Sequence, residues 1–127
     1  MFETVLFPFA PDRQLQETSG KALELAQQHN SRLVLLTVLG GESPGMQDQD
    51  AVPLLLKHLQ DQINAAGVVF ELVERRGRPA AVILELACEL NVDVIVMGTH
   101  GVNLDTDSES TAAEVIQLAP CPVLVVP

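Results

Sequence analysis

The chain has 127 residues, 47% of them hydrophobic, which is enough for one compact domain and too little for two ordinary ones. Seven Lys and Arg stand against 17 Asp and Glu, a formal charge of -10, so nucleic acid and anionic membrane surfaces are repelled unless the few cations are concentrated. They are not: the densest group is Arg75, Arg76 and Arg78, and no Lys or Arg follows Arg78. With four Phe and no Tyr or Trp, the core must be aliphatic, and stacking platforms for bases are missing.

Thr4 to Phe9 is the first apolar run and reads as a strand, with Pro8 at the margin of the sheet. Asp12 is placed to cap a helix whose inner positions are Leu15, Ala22, Leu25 and Ala26. Gly20 costs that helix about 0.5 to 1 kcal/mol relative to alanine unless close packing needs it, and Asn30 ends it. Leu33 to Leu39 is apolar at nearly every position and reads as a central strand. The glycines and proline between Gly40 and Gln49 mark a loop. The next helix starts near Asp50 with Pro53 in its first turn; Leu55, Leu56, Leu59, Ile63 and Ala66 form its inner face and Gly67 its terminator.

Val68 to Val73 reads as a third strand, and the charge of Glu71 within it places it near an edge. Arg75 to Arg78, with Gly77, makes a charged turn. Pro79 then opens a helix with Val82, Ile83, Leu86, Ala87 and Leu90 facing inward, ended by Asn91. Val94 to Met97 is an unbroken apolar run that stops at Gly98, the pattern of a strand buried on both faces. Gly101 allows a second close approach of backbone just beyond it. Ser108 or Ser110 caps a last helix with Ala112, Val115, Ile116 and Ala119 inside, and Pro122 to Val126 supplies the final strand.

Strands alternating with helices imply an α/β fold: a single three-layer α/β/α domain spanning residues 1–127, with five parallel strands joined by right-handed crossovers. The final strand is an apolar edge, so the expectation is a homodimer joined through Val123 to Val126. Ligands of open α/β sheets bind beyond the carboxyl ends of the strands, which puts the candidate site at Gly98 to Gly101.

The chemistry offered near that site is sparse. Asp105, Asp107 and Glu109 alternate with Thr106 and Ser108, and are weak candidates to hold Mg or Ca. A calcium loop starting at Asp105 would need glycine and glutamate where Ser110 and Ile116 stand, so a solvated acidic loop is the stronger reading. His100 has no partner fixed by sequence and reads as a structural loop histidine; His29 and His58 sit on helix surfaces. Cys88 and Cys121 lack ligand-like spacing and read as two buried thiols. No nucleophile elbow, Walker lysine or ligand-spaced histidine pair is present, so catalysis is the weaker class. The amino terminus has neither a basic leader nor a long apolar segment, which points to a cytoplasmic protein without membrane insertion.

The segments VLFPFA, LVLLTVLG, GRPAAVILELACELNVDVIVMGTHG and LAPCPVLVVP, in this order, resemble the universal stress protein family. The resemblance implies a sheet ordered 3-2-1-4-5, dimerisation through the last strand, and membership of either an ATP-binding or a non-binding class. The binding class carries Gly-x2-Gly-x9-Gly followed by Ser or Thr, with an Asp just after the first strand. Here Gly98, Thr99, His100 and Gly101 match the first part. The third glycine falls on Glu109 followed by Ser110, or on Thr111 followed by Ala112 if the spacing is held, and the Asp falls on Ala10. A triphosphate beside Asp105, Asp107 and Glu109 would meet like charge, each contact worth about 1 kcal/mol in water and about 4 kcal/mol near a protein surface.

The leading expectation is therefore a non-catalytic stress-response or regulatory homodimer without tight ATP binding and without a cofactor, engaging a protein partner. The alternative is a sensor for ATP with Mg, or for a less charged adenine nucleotide, using Gly98, Thr99, His100, Gly101 and Ser110. The third reading is a slow ATPase, for which Lys21 or Arg13 would have to reach the phosphates.

Overall fold

The computed structural model describes residues 2–9, 15–39, 51–98 and 111–127. In chain order the elements are β1 (Thr4–Pro8), α1 (Leu15–His29), β2 (Arg32–Leu39), α2 (Ala51–Ala65), β3 (Phe70–Arg76), α3 (Pro79–Glu89), β4 (Val94–Gly98), α4 (Thr111–Leu118) and β5 (Val123–Val126). All strand pairs are parallel and the sheet is ordered β3-β2-β1-β4-β5, as expected.

The three central strands carry the longest aliphatic runs because both of their faces are covered. Alternation along them divides the core in two. On one side Val5, Phe7, Leu33, Leu35 and Val96 meet Ala22 and Ala26 of α1 and Leu59 and Ile63 of α2. On the other, Leu6, Val34, Leu36, Ile95 and Met97 meet Ile83 and Leu86 of α3 and Val115 of α4. Helices α1 and α2 therefore share one face of the sheet, and α3 and α4 share the other.

The helix ends follow the side-chain chemistry. Asn30 and Asn91 take left-handed backbone at φ 53° and 51°, and Gly67 does so at φ 74°. At the amino edge of the sheet, the Thr4 N–H donates to Asp93 Oδ2 at 2.9 Å while the Asp93 N–H donates to the Thr4 carbonyl at 2.9 Å. This reciprocal pair fixes the start of β4 against the start of β1. The Ser31 hydroxyl donates to the Phe2 carbonyl and ties the start of β2 to the same place.

Several sequence expectations are corrected. The third strand runs from Phe70 to Arg76, not from Val68 to Val73. The Val68 N–H donates to the Ile63 carbonyl at 3.2 Å and so belongs to the closing turn of α2, while Arg75 and Arg76 continue the strand up to the turn at Gly77. Leu55 and Ile116 are 39% and 50% exposed, not inside. In α1, Thr18 and Ser19 are buried while Leu15 and Leu25 are only partly covered. Among the described residues nothing lies within 4 Å of where a side chain at Gly20 would begin.

Cys88 is also exposed, on the outer side of α3, and Cys121 is half-buried, so the expectation of two buried thiols fails. Burial, then the nearby Asp93 and Cys88, push the Cys121 thiol above its ordinary pKa. Among the described residues no helix is long and apolar enough to cross a membrane. The expected cap at Asp12, the loop from Gly40 to Gln49, and the caps at Ser108 or Ser110 lie outside the described residues.

Candidate functional site

The chain passes from β1 outward to β2 and β3, then returns to β4 and β5 on the opposite side of β1. The crevice above the carboxyl ends of β1 and β4 is therefore the topological switch point, where ligands of open sheets bind. Gly98 is the last residue of β4, half-buried and paired with Val126. Thr99, His100, Gly101 and Ser110, the acidic residues Asp105, Asp107 and Glu109, and Ala10 and Arg13 all lie outside the described residues.

In a parallel α/β sheet every helix begins at the carboxyl edge, so α3 and α4 direct the positive ends of their dipoles there. Arg78 occupies the N-cap of α3 in an extended conformation, φ -72° and ψ 127°, and its side chain makes no cap. Its Nη1 instead donates to Glu114 Oε2 in the first turn of α4. That ion pair joins the starts of the two helices at the carboxyl edge of the sheet and neutralises the Arg78 charge.

Two other cations are engaged away from the crevice. Arg75 forks onto Glu89, with both nitrogen to oxygen distances at 3.1 Å. The bidentate hydrogen bond and its charge hold the Glu89 carboxyl below its ordinary pKa and raise that of Arg75. Lys21, which with Arg13 is one of the two alternatives the ATPase reading names, lies 3.7 Å from Glu24 along the exposed surface of α1. No group of three His, Cys, Asp or Glu side chains suited to a metal occurs among the described residues.

Thr37 is a residue that the sequence reading passed over. It lies toward the carboxyl end of β2, is 8% exposed, and its hydroxyl finds no hydrogen-bond partner among the described residues. A buried hydroxyl without a partner costs about 1 to 3 kcal/mol, so it needs a reason. The signal was present in LVLLTVL, where one hydroxyl interrupts an otherwise aliphatic run.

Comparison with known proteins decides the family. A model described as the Universal stress protein family matches residues 1–127. The chain belongs to the universal stress protein family. A universal stress protein of Synechocystis sp. is 38% identical over all of this chain and 87% of its own length. One from Thermus aquaticus is 29% identical, with 99% of each chain covered. Among solved structures, a universal stress protein in complex with cAMP superposes with a TM-score of 0.80 at 22% identity, covering 98% of this chain and 97% of the other. A universal stress protein from Archaeoglobus fulgidus in complex with dAMP gives a TM-score of 0.71 at 19% identity, covering 100% of this chain and 98% of the other. At these identities the structural likeness establishes the fold. In this universal stress protein the ligand question therefore rests on the carboxyl-edge residues themselves.

Proposed function

We propose that this universal stress protein is a non-catalytic regulatory homodimer of the cytoplasm, joined through β5, that does not hold ATP tightly. The observation that carries the dimer is the character of the β5 edge. Its VLVV sequence has no charge, Leu124 is 41% exposed, and on the flanking α4 Ile116 and Leu118 are 50% and 64% exposed. An uncharged strand edge beside exposed aliphatic side chains is a surface that a second copy stabilises by covering it. Weak ATP binding is supported by Glu109 or Thr111 standing where the family pattern has its third glycine, by Ala10 in place of the Asp, and by Arg78 already neutralised by Glu114.

A second reading is favoured by one observation. Structural neighbours are solved with cAMP and with dAMP, each carrying a single phosphate. A monophosphate brings less charge to an acidic rim than a triphosphate does, and the starts of α3 and α4 supply the matching positive potential. The site then takes an adenine monophosphate, with Gly98, Thr99, His100, Gly101 and Ser110 around it. An ATP complex with Mg held by Asp105, Asp107 or Glu109 is the more demanding form of the same site.

Sedimentation equilibrium at micromolar protein, together with calorimetric titration of ATP with Mg, AMP and cAMP, tests both readings. A dimer with ATP affinity no better than millimolar upholds the main one. Micromolar AMP or cAMP affinity upholds the second. A monomeric mass removes the dimer, and micromolar ATP affinity removes the weak-binding claim.

A further inference from the structure

A cleft of about 440 Å3 lies at the amino edge of the sheet, the end opposite the nucleotide crevice. It forms because α1 and α2 share one face and run in the same direction, so their carboxyl ends arrive side by side. Each ends in a left-handed residue, Asn30 and Gly67, and the Gln27 amide donates to the Ala66 carbonyl at 3.3 Å to clip the two ends together. The space left between these ends and the starts of β1 and β2 is the cleft, and its volume is within the range of about 300 to 1,000 Å3 usual for small-ligand sites.

Among the described lining residues the charged side chains are Glu3 and Arg32. Two helix carboxyl ends each contribute roughly half a negative charge, and Glu3 in the lining adds a full one. Arg32 is the cation in the lining, and its charge is directed elsewhere. Leu33 and Leu35 face the α1 and α2 side and Val34 the other, so strand alternation sends the Arg32 side chain away from Glu3. There its Nη1 meets Glu71 Oε2 at 3.5 Å. The lining mixes polar and apolar groups: Ala26 and Val68 border it from the core, and Val69 is 70% exposed, an aliphatic side chain in contact with water.

We propose that this cleft binds a primary ammonium group carried on a short aliphatic chain, the ammonium at Glu3 and the helix ends and the methylenes on Ala26, Val68 and Val69. The acidic balance of the whole chain raises the local concentration of such cations, and the aliphatic part of the lining, chiefly the exposed Val69, separates an alkylammonium from a bare metal ion. The same chemistry is carried by a free aliphatic polyamine and by a lysine side chain of another protein. This inference is independent of the nucleotide crevice and of the dimer.

The test is an amide-resolved NMR titration of the full chain with n-butylammonium, n-butanol, a linear aliphatic diamine and N-acetyl-lysine methylamide. The expected result is a set of saturable shifts at Gln27, Asn30, Ser31, Gly67 and Val69 for the three ammonium compounds and none for n-butanol. Glu3→Gln should weaken n-butylammonium binding about tenfold, the loss of one partly screened ion pair. Glu3 is exposed and contributes its backbone carbonyl to the Arg32 N–H, so this variant keeps the fold. Glu71→Gln, outside the cleft, should weaken it by a smaller factor by freeing the Arg32 guanidinium. Tighter saturation by the diamine assigns a free polyamine, and tighter saturation by the lysine amide assigns a partner's side chain. Equal affinity in wild type and Glu3→Gln, equal shifts with n-butanol, or shifts spread over the acidic surface would overturn the proposal.

Discussion

The two edges of the sheet solve the same problem in opposite ways. On β3, four of seven residues are charged, and two of them enter ion pairs, Arg32 with Glu71 and Arg75 with Glu89. Exposed pairs of this kind contribute about 0 to 1 kcal/mol, so their main consequence is a hydrated edge that resists pairing with another strand. On β5, all four residues are aliphatic and Leu124 is exposed, as are Ile116 and Leu118 on the preceding α4. Leu72 of β3 is 37% exposed, nearly as much as Leu124 of β5, so a single apolar side chain does not separate the edges. What separates them is whether charge surrounds it.

The largest expected effect follows directly. Leu124→Lys should weaken the proposed dimer by about two orders of magnitude, roughly 3 kcal/mol, with the subunit's circular dichroism unchanged. Leu72→Lys, its counterpart on the other edge, should leave the sedimenting mass as it is. Equal effects of the two variants would erase the distinction between the edges.

The next effect concerns how the charged edge ends. Gly77 follows β3 at φ 141°, and a Cβ there would lie 3.0 Å from Val82 Cγ2. Gly77→Ala should cost about 1 to 3 kcal/mol in chemical denaturation, since both the backbone conformation and the contact oppose it. Adding Val82→Ala should recover the contact part only, leaving a coupling between the two positions that a double-mutant cycle reads. Full additivity would mean that the contact carries none of the cost.

How much of this was readable beforehand depended on burial. The runs Leu33 to Leu36 and Val94 to Met97 announce strands because both faces are covered, and position 91 announces a helix end because asparagine tolerates left-handed backbone. At β3 the same reasoning slipped, because an edge strand accepts charge at its end, with Arg75 turned to Glu89 of α3 and Arg76 exposed, and the apolar run therefore stops short of the true end. Leu55 and Ile116 fit a helical spacing yet lie outside, since spacing cannot say how wide a stripe the rest of the fold covers. Cys88 was readable: Val82, Ile83, Leu86 and Ala87 fix the inner face of α3 and leave position 88 on the outer one. The strand order puts the switch point above β1 and β4, as alternation of strands and helices implies, but the pairing of Arg78 with Glu114 could not be foreseen. It depends on α3 and α4 starting side by side, and the two residues are far apart in the chain.

That pairing gives a smaller prediction. Arg78 links the helix that follows the charged edge to the helix that flanks the apolar one, so changing it shows whether the two halves communicate through the crevice. Under the second reading, in which the crevice takes an adenine monophosphate, Glu114→Gln should tighten AMP binding by about two- to fivefold by freeing Arg78, and Arg78→Ala should weaken it by a similar factor. Neither should alter adenosine binding, which lacks the phosphate. A change in adenosine affinity equal to that of AMP would show that the ion pair acts on the shape of the site and not on charge.

The smallest effect isolates the ion pair that closes the charged edge onto α3. Arg75 holds the Glu89 carboxyl below its ordinary pKa, first through the bidentate hydrogen bond and then through its charge. For a carboxyl depressed in the folded state, the stabilisation is fully present above the unfolded pKa and is lost as pH falls through the folded one. Stability of the wild type should therefore fall on the acid side of the carboxylate range more steeply than that of Glu89→Gln, and the two curves should run parallel near neutrality. Both groups are exposed, so the divergence should shrink further in high salt, where a buried pair would persist. Because β5 carries no titrating side chain, the wild-type dimer constant should not share this dependence. A dimer constant that tracked the Glu89 titration would place the charged edge, not the apolar one, at the interface.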